Sequence, residues 1–349
     1  MPTIAADQLT QFATNLLLSG GLAVEEAQVV ARSLVAANLR GHDSHGVMRV
    51  PYYLDQLAKG ELKAGAKLKV IKEEHALLLA DGQWGFGQTL ARDLTARLIA
   101  KARHGGVCVG TLIHTGHIGR LGEYCEHAAD AGMVSLLMAN THGAARRVAP
   151  VGGTAPRLGT NPLAFGVPHP DGALVLDFGT SATAEGKVRV KRIAGQTCPD
   201  GWLLDAQGQP TNDPHSLYAD PPGTIRPMGG DQAYKGFGLA LMIEVLAGAL
   251  SAGVTIREKP INQLGNCVFM LVMDPQGMCG QAHFAQEVAQ LAAFVRSCPR
   301  IDGVDEILLP GDPERRTLAA RSSDGIPLDD GNWQALRELA AKFGVACPA

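Results

Sequence analysis

The chain has 349 residues, 46% of them hydrophobic and 19% charged, enough for two lobes at roughly 100–200 residues per domain. A net charge of −3 without a dense Lys/Arg run argues against a nucleic-acid partner, and no apolar run reaches the ~20 residues of a membrane span. Seven cysteines without a C-x-x-C pair argue against a disulfide framework or structural zinc, and with no basic-then-apolar leader the expected address is cytoplasmic.

Helical periodicity covers Ala5 to Ser19 and Val24 to Leu39, the second with apolar positions at Val24, Ala27, Val30, Leu34 and Val35. Gly41 falls where a left-handed cap would stop that helix. A short helical segment follows at Val50 to Ala58. Ala76 to Ala80 reads as a strand closed by the turn pair Asp81-Gly82, and Gln88 to His104 as a helix ended by Gly105-Gly106. Val107 to Ile113 is a predicted strand, Ile118 to Ala131 a helix capped by Gly132, and Met133 to Ala139 the next strand. This alternation predicts an α/β lobe.

From Asn140 to Pro168 the texture turns to Gly, Pro, Thr and Asn, with Pro150-Val-Gly-Gly153 and Gly159-Thr-Asn-Pro162. A strand is predicted at Ala173 to Phe178, an irregular excursion at Gly195 to Pro227 and a long helix at Tyr234 to Ala252. Then come a strand at Cys267 to Met273, a helix at Ala285 to Arg296, a strand ahead of Pro310-Gly311, and a last helix at Asn332 to Phe343. Packing the two terminal helical regions together would make one lobe from both chain ends. Cysteines in settings such as Val107-Cys108-Val109 read as small core residues.

The densest chemistry is Arg40-Gly-His-Asp-Ser-His-Gly-Val-Met-Arg49, at a helix exit. Three readings are open. His42, Asp43 and His45 can bind a metal, as in a hydrolase or lyase, or the histidines can be structural. Alternatively, Arg49 grips a carboxylate through its planar fork while His45, beside Ser44, exchanges a proton with a carbonyl oxygen. His114-Thr-Gly-His117-Ile-Gly119 forms a second cluster between a predicted strand and helix. No Gly-x-Gly-x-x-Gly lies between strand and helix; Gly82-Gln-Trp-Gly85-Phe-Gly87 has the wrong spacing. Walker and nucleophile-elbow motifs are also missing. Tyr234-Lys235 and Pro310 to Arg316 are either surface groups or phosphate contacts. A small-molecule binding protein without turnover would keep the same groups.

Taken together, the motifs resemble the type 2 malate/L-lactate dehydrogenase family over nearly the whole chain. The resemblance rests on the Arg40–Arg49 run with Tyr53, His117-Ile-Gly, Pro150-Val-Gly-Gly153 and Gly159-Thr-Asn-Pro162. It continues through Asp177-Phe-Gly-Thr-Ser181, Glu185-Gly-Lys187, Asp205 to Pro214, Tyr234-Lys-Gly-Phe-Gly238 and Leu309-Pro-Gly-Asp312. The family also includes ureidoglycolate, sulfolactate and diketogulonate oxidoreductases and piperideine-2-carboxylate reductases.

The resemblance implies an α/β, non-Rossmann fold with a largely antiparallel sheet in the cofactor domain and a helical lobe built from both chain ends. The implied division is residues 1–75 with 285–349 as helical substrate lobe and 76–284 as NAD(P)-binding lobe. It implies a homodimer acting on a small carboxylate with NAD or NADP. His45, Ser44 and Lys187 match catalytic positions, and Arg49, Tyr53, His117 and Thr160 match substrate contacts. His117, Ile118, Gly119, Asp177, Phe178, Gly179, Tyr234, Lys235, Gly311, Asp312 and Pro313 match the cofactor site. A relay aspartate stands at the position of Lys187 in the imine-reductase branch. Lysine there favours a 2-hydroxy-acid dehydrogenase, with reduction of a cyclic imino acid as the alternative. Tyr234 replaces a common histidine and Gly179 a common alanine.

Overall fold

The computed structural model describes residues 2–259 and 263–348. Its first part runs β1 (Thr3–Ile4), α1 (Ala6–Ser19), α2 (Val24–Leu39), α3 (Val50–Ala58), β2 (Lys69–Glu74), β3 (Leu77–Gly85), α4 (Gly87–Gly105) and β4 (Val107–Thr115). Next come α5 (Gly122–Asp130), β5 (Val134–Asn140), β6 (Pro162–Val167), β7 (Leu174–Gly179), α6 (Glu185–Ile193), β8 (Leu203–Leu204), β9 (Pro210–Thr211) and β10 (Thr224–Ile225). The remainder is α7 (Tyr234–Ile243), β11 (Asn266–Met273), α8 (Pro275–Met278), α9 (Gln281–Arg296), α10 (Asp312–Asp324), β12 (Ile326–Pro327) and α11 (Asp330–Phe343).

Seven strands form one sheet in the order β2-β3-β4-β11-β5-β6-β7. Only β3 and β4, joined through α4, run parallel; the other neighbours are antiparallel. The period-2 alternation of strand side chains separates the two faces. Val268, Met270 and Val272 of β11 join Leu90, Leu94 and Leu98 of α4 and Tyr124 and Ala128 of α5 in one core. Phe269, one residue out of step, packs on the opposite face with Ile243 and Ala247. Both chain ends meet in a second core, where Leu16, Leu17, Val30 and Leu34 of α1 and α2 pack with Leu336 and Ala340 of α11. The β1–β12 pair closes it, with Ile4 opposite Ile326. A third core, around Val148, Val188, Leu217 and Ile225, carries α6 and the small β8–β10 sheet inside the irregular excursion.

Three local expectations change, and β2 lies where no element was expected. Asp81-Gly82 does not end its strand: β3 continues to Gly85 through an irregularity where Gln83 donates its N–H to Asp81 Oδ1 at 2.7 Å. Strand β2 has no apolar alternation because it is a charged, fully exposed edge, the composition that discourages further pairing. The helix predicted from Ile118 starts only at Gly122. Gly119 is left-handed, with φ +78°, and Ile118 gives its N–H to Asn266 Oδ1, so neither residue continues a right-handed helix. No strand forms directly ahead of Pro310: Leu309 gives its N–H to Asp312 Oδ2 at 2.7 Å, which makes a helix entry instead.

The long helix from Tyr234 widens into a π-turn at Glu244–Ala249, where buried Glu244 accepts from Asn140, Asn161 and the Ile256 N–H. Cys108, Cys125, Cys198 and Cys267 are buried core residues, whereas Cys279, Cys298 and Cys347 are exposed. Among the described residues no helix is long and apolar enough to cross a membrane.

Candidate active site

The Arg40–Arg49 run is shaped by its own polar groups. Helix α2 stops at Leu39, and His42 donates its N–H back to Ala37 O at 2.9 Å while Gly41 takes φ +82°. Buried Asn38 then organises the loop, donating to Asp43 Oδ1 at 2.6 Å and accepting the Val47 N–H at 2.9 Å. A side chain at position 46 would collide with that amide, which is why glycine stands there. Arg321 of α10 grips both oxygens of Asp43, at 2.7 and 3.1 Å. Arg40 pairs with Glu126, and His42 Nε2 lies 3.4 Å from Glu314. His42, Asp43 and His45 therefore turn to separate partners, and among the described residues no group of three His, Cys, Asp or Glu converges as metal ligands.

The groups left over face a cavity. Ser44 Oγ lies 3.1 Å from His45 Nδ1, and Arg49 Nε donates to the Ser44 carbonyl at 2.7 Å. The His45 ring stacks on His117 with centroids 5.4 Å apart. Burial, reinforced by the Arg49, His42 and Arg120 positive charges, pushes the His45 pKa down to about 3. In the free protein at neutral pH this ring is a proton acceptor.

His117 is held differently. Its Nδ1 lies 2.7 Å from the Tyr53 hydroxyl and 3.3 Å from the Gly119 N–H, and Gln88 Nε2 lies 2.8 Å from the same Tyr53 oxygen. A backbone N–H can only donate, so Nδ1 carries the lone pair and the ring proton sits on Nε2. Burial keeps His117 neutral and the Tyr53 phenol protonated.

The cavity holds about 470 Å³ and is lined by His45, Arg49, His117, Ile118, Gly119 and Thr160 among the sequence-predicted residues. Ser44 and Tyr53 stand behind that lining and orient the two imidazoles. Tyr52, Arg147 and Arg189 line it too and escaped the sequence reading. Tyr52 carried a signal, one helical turn from Arg49, as did Arg189, four residues after Glu185. Arg147 lies in irregular chain, where no periodicity points anywhere.

Other predicted positions lie elsewhere. Lys187 is exposed on α6. Asp177 on β7 accepts the Gly122 N–H at 2.7 Å, with burial raising its pKa; Phe178 packs beside the Leu163 and Ile243 core, and Gly179 ends the strand. Tyr234 and Lys235 open α7 on the surface. Gly311, Asp312 and Pro313 start α10, with Gly311 lining a separate cleft of about 210 Å³ beside Arg40 and Arg315. None of these residues lines the central cavity.

The lining of that cavity includes the apolar residues Ile118, Leu121, Ala139 and Pro162. Thr160, whose hydroxyl has no protein partner among the described residues, and His117 line it as well. A flat amide-bearing ring such as nicotinamide suits a lining that mixes apolar side chains with a few polar groups.

The family model for malate/L-lactate dehydrogenase matches residues 4–337. The hydroxycarboxylate dehydrogenase B of Escherichia coli (strain K12) is 36% identical over 345 residues, covering 97% of this chain and 94% of the relative. The L-lactate dehydrogenase of Cupriavidus necator is 34% identical, covering 99% of both. Among solved structures, malate dehydrogenase from Pyrococcus horikoshii OT3 superposes with a TM-score of 0.90 at 29% identity, covering 99% and 97% of the two chains. The Δ1-piperideine-2-carboxylate reductase from Pseudomonas syringae gives 0.84 at 31% identity, over 97% and 100%. The chain thus belongs to the malate/L-lactate dehydrogenase family, oxidoreductases of 2-hydroxy acids that use NAD(P).

Proposed function

We propose that this enzyme interconverts a small 2-hydroxy carboxylate and its 2-oxo acid, with Arg49 binding the carboxylate and His45 exchanging the proton on the C2 oxygen. The observation that carries the assignment is the Ser44–His45–Arg49 unit. Ser44 touches His45 Nδ1 with its hydroxyl and Arg49 Nε with its carbonyl, tying base and clamp together at one cavity. Neutral His45 accepts the hydroxyl proton in oxidation and returns it in reduction. His117 presents Nε2–H as a fixed donor, and Arg49 sets the orientation of C2. A nicotinamide held in the cavity would supply or accept the hydride at C2.

His117, Ile118, Gly119 and Thr160 would hold the nicotinamide end of NAD or NADP. Asp177, Phe178, Gly179, Tyr234, Lys235, Gly311, Asp312 and Pro313 are proposed for the rest of the cofactor through family resemblance. Lys187 follows Gly186, where a Cβ would lie 3.3 Å from Ser44 Cβ, and its catalytic role is proposed through family resemblance alone. The cyclic-imine alternative has less support: two hydroxy-acid dehydrogenases match at 36% and 34% identity, and the imine reductase superposes less closely than the malate dehydrogenase, with a TM-score of 0.84 against 0.90.

The assembly we propose is a cytoplasmic homodimer. Leu241 and Met242 on α7, and Leu291 and Phe294 on α9, are large apolar side chains left exposed on single chains, as an oligomer interface requires. Sedimentation equilibrium checks it, with a single-chain mass refuting the dimer. Activity is tested by following NADH and NADPH oxidation against a panel of 2-oxo acids and cyclic imino acids. Turnover of the oxo acids, abolished in His45→Ala, is expected; turnover of imino acids alone overturns the reading.

A further inference from the structure

Glu244 is a buried carboxylate that the reaction as described does not use. It stands where α7 opens into the π-turn Glu244–Ala249, an irregularity that helices often carry at functional sites. Its Oε1 accepts Asn161 Nδ2 at 2.9 Å, and its Oε2 accepts Asn140 Nδ2 at 3.0 Å and the Ile256 N–H at 2.9 Å. Among the described residues no Lys, Arg or His pairs with Glu244, so these three N–H groups alone compensate the buried charge.

The backbone orients both amides as well. Asn161 Nδ2 also donates to Ala240 O at 3.0 Å, and its Oδ1 is buried with no hydrogen-bond partner among the described residues. An asparagine that leaves its buried oxygen unbonded is held in place by what its nitrogen grips. Asn140 Nδ2 donates to Val254 O at 2.8 Å, while its Oδ1 accepts the His142 and Cys267 N–H groups at 3.0 and 3.3 Å. Gly248 keeps room for this amide, since a Cβ there would lie 2.8 Å from Asn140 Nδ2.

Each asparagine sits one residue behind the central cavity. Ala139 and Thr141 flank Asn140, Thr160 and Pro162 flank Asn161, and all four line the cavity. A third arm leaves from the Asn140 carbonyl, which accepts Asn266 Nδ2 at 2.7 Å; Asn266 Oδ1 in turn accepts the Ile118 N–H at 3.0 Å. One carboxylate therefore ties together the end of β5, the segment 159–162 and the chain at Ile118. The Ser44–His45–Arg49 loop has a separate support, Asn38 together with the Arg321 pair on Asp43.

We propose that Glu244 is a positioning residue for the nicotinamide side of the cavity, setting Thr160 and Ile118 for the cofactor and leaving the acid-binding side to Asn38. This rests on the cofactor placement proposed above and adds the group that holds it. Glutamine at position 244 keeps the volume but replaces one acceptor with a donor. Two donors meet Oε2 and one meets Oε1, so the amide oxygen stays with Asn140 and Ile256. The new NH2 then faces Asn161 Nδ2 donor to donor, and the arm to Thr160 is lost.

The test is fluorescence titration of Glu244→Gln with whichever of NADH and NADPH wild type binds, alongside steady-state reduction of a 2-oxo acid at saturating cofactor. The dissociation constant is expected to rise about ten-fold, while the KM of the acid stays within about two-fold of wild type. Glu26→Gln is the matched control. Glu26 is also a buried carboxylate, accepting the Gly65 N–H at 2.8 Å outside the cavity lining, and its loss should leave dinucleotide affinity unchanged. Wild-type affinity in Glu244→Gln overturns the proposal. So does a parallel loss of dinucleotide and acid binding, or an equal loss of affinity in Glu26→Gln, since either makes the effect a general loosening. Should Glu244→Gln fail to fold, Asn161→Ala and Asn266→Ala cut the arms to Thr160 and Ile118 separately. Each is expected to raise the dissociation constant about three-fold or more with the acid KM retained, and wild-type affinity in both overturns the proposal. Failure of wild type to bind either dinucleotide would instead refute the cofactor placement itself.

Discussion

The Tyr53 hydroxyl lies 2.7 Å from His117 Nδ1, and the only hydrogen that the Gly119 backbone can offer points at that same nitrogen from 3.3 Å. Tyr53 is thereby cast as donor to the ring, and Gln88 as donor to Tyr53. The chain of bonds leaves the His117 proton on Nε2 and distinguishes the two stacked imidazoles: one is a fixed donor, the other the proposed proton exchanger.

That relationship predicts an effect of Gln88→Glu. A carboxylate at position 88 would draw the Tyr53 O–H toward itself, and His117 Nδ1 would lose its strongest donor. Nitrogen NMR shifts of His117 are expected to report the Nε2–H tautomer in wild type and a mixed or inverted tautomer in the variant. An unchanged tautomer would sink the account of how His117 is set.

The depressed His45 pKa makes a signed prediction about pH. With a value near 3, the protonated form needed for reduction falls ten-fold per pH unit above it, while the neutral form needed for oxidation is already complete. Reduction kcat/KM should therefore decline with unit slope between about pH 5 and 8, and oxidation should show no rise attributable to His45 over that range. A plateau in reduction below about pH 6 would mean the ring has an ordinary pKa in the free enzyme.

Removing the two central side chains should affect different constants. His45→Ala is expected to lower kcat by about 10²–10⁴-fold with NADH affinity retained. Arg49→Lys should raise substrate KM by about ten-fold or more despite its conserved charge, because the fork geometry is lost. Stopped-flow hydride transfer with a titration of NADH fluorescence separates these effects, and wild-type kinetics in His45→Ala would end its role.

Stability of the catalytic loop should depend on Asn38. Asn38→Ala leaves the Val47 N–H without its acceptor and Asp43 with only Arg321, so a loss of about 2–3 kcal/mol is expected. Urea unfolding checks the magnitude. A change within error would mean that the Arg321–Asp43 pair alone holds the loop.

Much of the architecture was readable from local pattern. Helices α1, α2, α3, α4 and α11 lie where periodicity and glycine caps put them, within a residue or two, because a one-sided apolar stripe has few other ways to be buried. Strand β2 and the Asp81-Gly82 segment were opaque, since an exposed charged edge and an irregular parallel pairing depend on a neighbouring strand rather than on their own residues.

Ser44, His45 and Arg49 were legible as chemistry because three functional groups stand within six residues of chain. Sequence also supplied the family, through ordered motifs along the whole length. Only the tertiary structure decided which groups share a cavity. It set Tyr53 behind His117, sent Asp43 to Arg321, and delivered Arg147 and Arg189 from distant segments to the space beside Arg49. Those placements arise from packing the sheet, α6 and the two chain ends together, and long-range contacts of that kind leave no spacing in the chain to be read.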